Sequence, residues 1–269
     1  DRVAYSDLTR YIQLYQKYKK TFGFMDFTDL LEEYIAKGLT EDVDVVCLDE
    51  MQDSSPLQWQ LVFQAFSKAK HVYAVGDVKQ AVFTYSGASA DTLLNLKGTQ
   101  HMLDTSYRVP SRILAFAQHI VDEMQLTDHS KCKAVKDGGI VEEITCLDEL
   151  NSQFDIGKSY FFLARNKKFF KQYEQWCLTN GIPYCVKGEP VFSDTDKMEF
   201  RDGKTDGWDP GKLDFARTCH SHGLFYNRPN VNISTIHTVK GDEADVVVLL
   251  SDISRAVDSQ LEMDPDSEH

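Results

Sequence analysis

The sequence predicts an α/β protein of two domains. Short apolar runs without strict alternation, the pattern of parallel strands buried on both faces, end in polar loops and take turns with segments of helical periodicity. The third indication is size: 269 residues exceed the usual single domain, and 42% hydrophobic residues are enough for a sizeable core.

Tyr11, Leu14, Tyr15 and Tyr18 form an i, i+3, i+4, i+7 stripe, and a second helix begins after Asp26, an N-cap with Asp29 in its first turn. The first strand is the run Val46-Cys47-Leu48, which delivers Asp49 and Glu50 into a polar loop. Pro56 starts a helix through about residue 68, followed by a short buried strand over 71–75 and a turn at Gly76-Asp77-Val78-Lys79-Gln80. That turn exposes Gln80 at the same sheet edge as Glu50. A helix from about Ser89, a strand over 101–103 and a helix over 110–124 come next. A second alternating set gives strands over 140–145 and 160–164, a helix over 167–180 and a short strand after Pro183. Residues 193–230, rich in Asp, Gly, Lys and Pro with little periodicity, are expected to be a polar surface insertion. Strands over 232–235 and 244–250 complete the set, and no internal repeat is present.

Composition excludes several classes. No apolar run reaches the roughly 20 residues that span a bilayer, and the first residues carry no basic-then-apolar leader pattern, so a soluble cytoplasmic protein is expected. Cys47, Cys132, Cys146, Cys177, Cys185 and Cys219 are dispersed without a CxxC pair, which predicts reduced thiols and no disulfide framework. Cys219-His220-Ser221-His222 lacks the second ligand pair of a structural zinc site. A net charge of -13 argues against a broad electrostatic grip on nucleic acid and leaves room only for a narrow groove. Much of that excess lies in Asp258, Glu262, Asp264, Asp266 and Glu268, a tail expected to be poorly ordered.

The chemistry concentrates at Asp49-Glu50. The carboxyl end of a strand is where open α/β sheets bind ligands, and a divalent cation beside two adjacent carboxylates offsets their repulsion. Asp49 is therefore a candidate Mg²⁺ ligand and Glu50 a candidate for polarising an attacking water. A solvated strand end is the competing reading of the same pair.

Five segments in order resemble the UvrD/Rep/PcrA family of superfamily-1 helicases. Asp26-Phe27-Thr28-Asp29-Leu30-Leu31 is similar to that family's D-F-D-D-L-L helix. The stretch from Asp49 to Gln58 resembles its DE-x-QD-x-x-x-x-Q signature, and Gly76 to Gln80 with Tyr85-Ser86-Gly87-Ala88 resembles its GD-x-x-Q…RGA segment. Tyr107-Arg108 before Ile113-Leu114 is similar to its L-x-x-N-YR-S…IL motif. Thr235-Ile236-His237-Thr238-Val239-Lys240-Gly241-Asp242-Glu243-Ala244-Asp245-Val246-Val247 follows its T-x-H-x-x-KG-x-E-x-D-VV motif. Arg165-Asn166 and Gly181-Ile182-Pro183-Tyr184 fit the intervening pattern more loosely.

The resemblance implies two RecA-like α/β domains, an incomplete first over 1–97 and a second over 98–269 with the insertion at about 193–230, and a cleft that binds ATP with Mg²⁺. By position it makes Asp49 the Mg²⁺ ligand, Glu50 the general base, Gln80 the γ-phosphate sensor, Arg108 an arginine finger and Glu243 a contact to the ribose. Tyr85 would stack on single-stranded DNA bases, and Thr235 and His237 would contact the strand or couple it to the nucleotide. Taken singly these residues have structural readings: a surface arginine, a turn-filling tyrosine, a turn-capping glutamine, a core histidine, and a helix-ending glycine after Lys240. Their order along the chain favours the functional set.

The implied activity is an ATP-dependent DNA helicase or translocase that moves along single-stranded DNA, 3′ to 5′, and meets duplex junctions and repair, replication or recombination proteins. No G-x-x-x-x-G-K-[ST] stands in the chain, and the family's last motif is also missing. The expectation is a piece of a longer polypeptide, inactive as an ATPase by itself. Ser86 and Ser106 replace the family's arginine and asparagine, and the stretch before Thr235 is too short for the large subdomain many members insert there. Two alternatives stand beside this reading: a non-catalytic single-strand-binding or partner-docking module, and the motor part of a helicase-nuclease.

Overall fold

The computed structural model describes residues 5–82, 87–89, 91–123 and 131–251. The chain divides after Asp104 into two compact units, both mixed α/β with small parallel sheets.

In the first unit, helices α1 (Tyr5–Phe22) and α2 (Phe27–Ala36) precede strand β1 (Val45–Leu48). A 3-10 turn over Met51–Asp53, helix α3 (Pro56–Ala65), strand β2 (His71–Ala74), a 3-10 turn over Val78–Gln80 and the short helix α4 (Asp91–Leu94) follow. The start of α2 is fixed by a reciprocal cap: Asp26 accepts from the Asp29 N–H at 3.0 Å, and Asp29 accepts from the Asp26 N–H at 2.8 Å. Lys19 on α1 reaches both carboxylates, at 2.8 and 2.6 Å, tying α1 to that cap. Its hydrogen bond holds the Asp26 carboxyl well below the usual carboxylate range. Helix α3 is capped in the same way by Ser55 and Gln58, with Pro56 preset at the first helical position. β1 and β2 pair in parallel from Val45↔His71 to Leu48↔Ala74. Among the described residues the core beneath them is small: Val46, Met51, Trp59, Ala65 and Ala88, with one buried polar side chain, Gln52.

The second unit holds a short parallel pair, β3 (Thr105–Ser106) with β4 (Lys133–Ala134), and helix α5 (Ser111–Glu123). Its main sheet comprises β5 (Tyr160–Ala164), β6 (Tyr184–Val186), β7 (Glu189–Pro190), β8 (Val231–Thr235) and β9 (Val246–Leu249), in the order β7-β6-β8-β5-β9. All pairings are parallel except the β6–β7 hairpin at one edge. Helices α6 (Phe170–Asn180), α7 (Asp194–Arg201) and α8 (Pro210–Ser221) lie between the strands in sequence. Phe162, Tyr173, Trp176, Phe192, Phe215 and Phe225 build an aromatic core with Val231 and Ile233. The buried Tyr173 hydroxyl lies 2.8 Å from the Leu163 carbonyl oxygen and 3.1 Å from that of Val248, so it satisfies its polar end on two strands while its ring fills the core. Burial pushes its phenol pKa upward.

Three sequence expectations differ from the structure. Residues 193–230 are no surface excursion: two capped helices form there, and Phe215, Ala216, Cys219 and Phe225 enter the core. Ser193 with Asp196, and Asp209 before Pro210, start those helices, and their charged outer faces dilute the composition enough to hide the apolar side. No strand forms over 101–103, where Met102 and Leu103 are exposed, or over 140–145, where Ile140 and Val141 are exposed. Apolar runs without a neighbour to pair with leave the ladder unformed. The tail acids from Asp258 onward lie outside the described residues. No described helix is long and apolar enough to cross a membrane.

Candidate functional site

Parallel pairing puts the carboxyl ends of β1 and β2 side by side, and hydrogen bonds lace them beyond the ladder. The Val75 N–H donates to the Leu48 carbonyl at 2.8 Å and the Met51 N–H to the Val75 carbonyl at 3.1 Å. Asp49 and Glu50 are exposed in the first loop and Gln80 in the second. Glu50 adopts a left-handed backbone, φ 53° and ψ 37°, uncommon for a residue with a side chain. That conformation turns the chain sharply out of β1 into the 3-10 turn. The Glu50 N–H donates to Asp49 Oδ1 at 2.9 Å.

A polar chain then links the two loops. Gln52 Nε2 donates to Glu50 Oε2 at 2.6 Å, and Gln52 Oε1 accepts from the Asp77 N–H at 3.1 Å. Asp77 accepts from Gln80 Nε2 at 2.7 Å and from the Lys79 N–H at 3.0 Å. The structure thus brings Asp49, Glu50 and Gln80 to one strand edge. Gln52 is the linking residue that sequence reasoning passed over: it stood in the quoted signature without a role. A polar residue two positions after Glu50, inside a tight turn, was the available signal.

In the second unit, Arg108 and Glu243 come together although far apart in sequence. Arg108 Nε lies 3.3 Å from Glu243 Oε2, and its Nη1 donates to the Gly241 carbonyl at 3.2 Å. Both side chains are largely exposed, so the pair is weak and exchangeable. Asp245 accepts from the Ser159 N–H and hydroxyl at 2.8 and 2.7 Å, pinning the start of β9 to that of β5. Those hydrogen bonds hold its carboxyl below the usual range.

Thr235, at the end of β8, is buried, and its hydroxyl lies 2.8 Å from that of Thr238. It therefore shapes the loop that carries the half-buried His237. Tyr85 and Ser86 lie outside the described residues. Ser106 accepts from the Val109 N–H at 3.2 Å, a local turn bond next to Arg108.

Among the described residues no group of three or more His, Cys, Asp or Glu side chains could hold a metal ion alone. Mg²⁺ commonly takes one or two carboxylates and completes its shell with phosphate oxygens and water, so the exposed Asp49 fits that use. All six cysteines are free; Cys177 and Cys219 are buried, and Cys47 and Cys146 are exposed.

Residues 2–101 match the family model of the UvrD/REP helicase N-terminal domain. The chain is 26% identical to the ATP-dependent DNA helicase Rep of Buchnera aphidicola, over 66% of this chain and 31% of that protein. It is 25% identical to a probable DNA helicase of Mycoplasma pneumoniae, over 96% of this chain and 46% of the relative. Over 30% of the chain it is 32% identical to the RecBCD enzyme subunit RecB of Mycolicibacterium smegmatis, an alignment covering 8% of that protein. The chain thus spans less than half of the length of the first two relatives, 31% and 46%.

Proposed function

We propose, from the premise that the chain is UvrD/Rep-like in sequence, that the polypeptide carrying it couples ATP hydrolysis to movement along single-stranded DNA, 3′ to 5′, as a helicase or translocase. The observation that carries this reading is the shared strand edge of Asp49, Glu50 and Gln80, laced through Gln52 and Asp77. A binding module has no need of a carboxylate and an amide held so.

In this reading the chain comprises two RecA-like domains, over 1–97 and 98–269. Asp49 would hold Mg²⁺, which would partly neutralise the charge on the γ-phosphoryl group of ATP, and Glu50 would orient a water and take up its proton. Gln80 hydrogen-bonds phosphate oxygen. By the resemblance, Arg108 would donate to a phosphoryl oxygen and Glu243 would accept from a ribose hydroxyl, and their exposed pairing is weak enough to exchange for those partners. Tyr85, Thr235 and His237 belong to the DNA-responsive set, with Thr235 acting through the loop it shapes.

DNA-stimulated ATP hydrolysis by the whole polypeptide, beside the same protein carrying Glu50→Gln, tests the reading. Turnover that requires single-stranded DNA and falls about 10²- to 10⁴-fold in the variant is the expected result. No turnover in a folded parent would replace it with the non-catalytic single-strand-binding module. The 269 residues alone are the control expected to be inactive, since they contain no G-x-x-x-x-G-K-[ST]. A second reading, the motor part of a larger helicase-nuclease, is favoured by the similarity to RecB.

A further inference from the structure

Among the described residues of the first unit, Gln52 is the one buried polar side chain, 1% exposed. A primary amide donates and accepts at once, and both ends are used: Nε2 on Glu50 Oε2 at 2.6 Å and Oε1 on the Asp77 N–H at 3.1 Å. A carboxylate of the same length cannot donate, an ammonium cannot accept, and a thioether does neither usefully. Gly76 completes the fit. A Cβ there would overlap Gln52 Oε1 and crowd Leu93 Cδ2, so the residue before Asp77 is glycine to leave room for the amide. Beyond Asp77, the carboxylate accepts from Gln80 Nε2 at 2.7 Å.

We propose that Gln52 is a positioning residue that fixes the Glu50 carboxylate relative to the loop bearing Gln80, making one preorganised unit of two loops 25 residues apart. Its functional consequence rests on the ATPase reading above; the physical link does not. Because the side chain is buried, it acts through Glu50 and Asp77. Water cannot replace it at no cost, for a lost partner leaves the Asp77 N–H unsatisfied.

The test uses the whole polypeptide with Gln52→Met, which keeps the side-chain length and removes both hydrogen bonds. Gly76→Ala is the second variant, which keeps Gln52 and fills the space of its amide. Hydrogen exchange read at single amides should show the Asp77 N–H exchanging about tenfold faster in both, while amides of β5 keep the parent rate. ATP turnover should fall about 10- to 100-fold in kcat, with KM for ATP within about threefold, the signature of a misplaced group rather than a lost fold. Unchanged Asp77 exchange, or parental kcat in a Gln52→Met protein that has lost Asp77 protection, overturns the proposal. If Gln52→Met does not fold, Gly76→Ala decides by the same two readouts. A folded parent without ATP turnover sinks the ATPase reading and the catalytic half of this inference together, while Asp77 exchange still decides the link.

Discussion

The first unit carries Asp49, Glu50 and Gln80 on a two-stranded parallel sheet whose flanks are open: Val45, Val72 and Tyr73 are each more than half exposed. The second unit builds five strands over an aromatic core in which Phe162, Tyr173, Val231 and Ile233 are fully buried. Parallel strands ordinarily need cover on both faces, and two strands alone are marginal in water. The unit that carries the proposed hydrolytic residues therefore has less packing of its own. Its order depends more on caps and hydrogen-bonded loop ends, such as Asp26–Asp29 and Glu50–Gln52–Asp77, than on buried area.

Thiol labelling should expose that contrast most strongly. Burial pushes the Cys219 thiol up to about 12 and the Cys177 thiol higher still, so both lack thiolate and access together. At pH 8, Cys47 on β1 should react at least about 10³-fold faster than Cys177 or Cys219, as read by mass spectrometry of labelled peptides. Comparable rates would mean that the second core is as open as the first.

Core truncation gives the next largest effect. Phe162→Ala should destabilise the second unit by about 3–5 kcal/mol in denaturant unfolding. Val46→Ala in the first unit should cost about 1.5 kcal/mol, for the loss of two methyl-sized groups from a thinner core. Equal losses would erase the distinction between the units.

The smallest expected effect is electrostatic. Because the Asp245 carboxyl titrates below its ordinary value, its contribution is present above the unfolded pKa and is lost as pH falls through the folded one. Asp245→Asn should therefore be slightly less stable than the parent at pH 7, where the Ser159 contacts to the carboxylate are intact, and the difference should shrink as pH falls below about 4, making the acid limb of the variant less steep. Far-ultraviolet circular dichroism across pH 2–6 would read it, and superimposable acid limbs would sharpen the view that such exposed bonds contribute little.

The comparison also explains what the sequence could reveal. Strands β1, β2, β5, β8 and β9 were legible because each is a short apolar run between polar loops, and α2 because Asp26 and Asp29 form a local cap. Local signals of that kind need no knowledge of the rest of the chain. Helices α7 and α8 were hidden because only one side of each is apolar and Gly and Pro crowd their flanks. Ile140 and Val141 misled in the other direction, since a strand exists only where a partner edge is offered. At the site, the strand-end residues were readable from their position, whereas the task of Gln52 depends on Asp77, a partner that only the fold brings near.

The β6–β7 hairpin has a further consequence, for association between chains. β7 is two residues long and ends in Pro190, which offers no N–H, so on that side the sheet ends in a strand that is a poor template for another chain. At the opposite edge, the described part of β9 is hydrogen-bonded to β5 alone, and it is a run of Val and Leu. Among the described residues, this sheet is thus blunted against strand addition at the β7 margin, and its β9 margin is the better template.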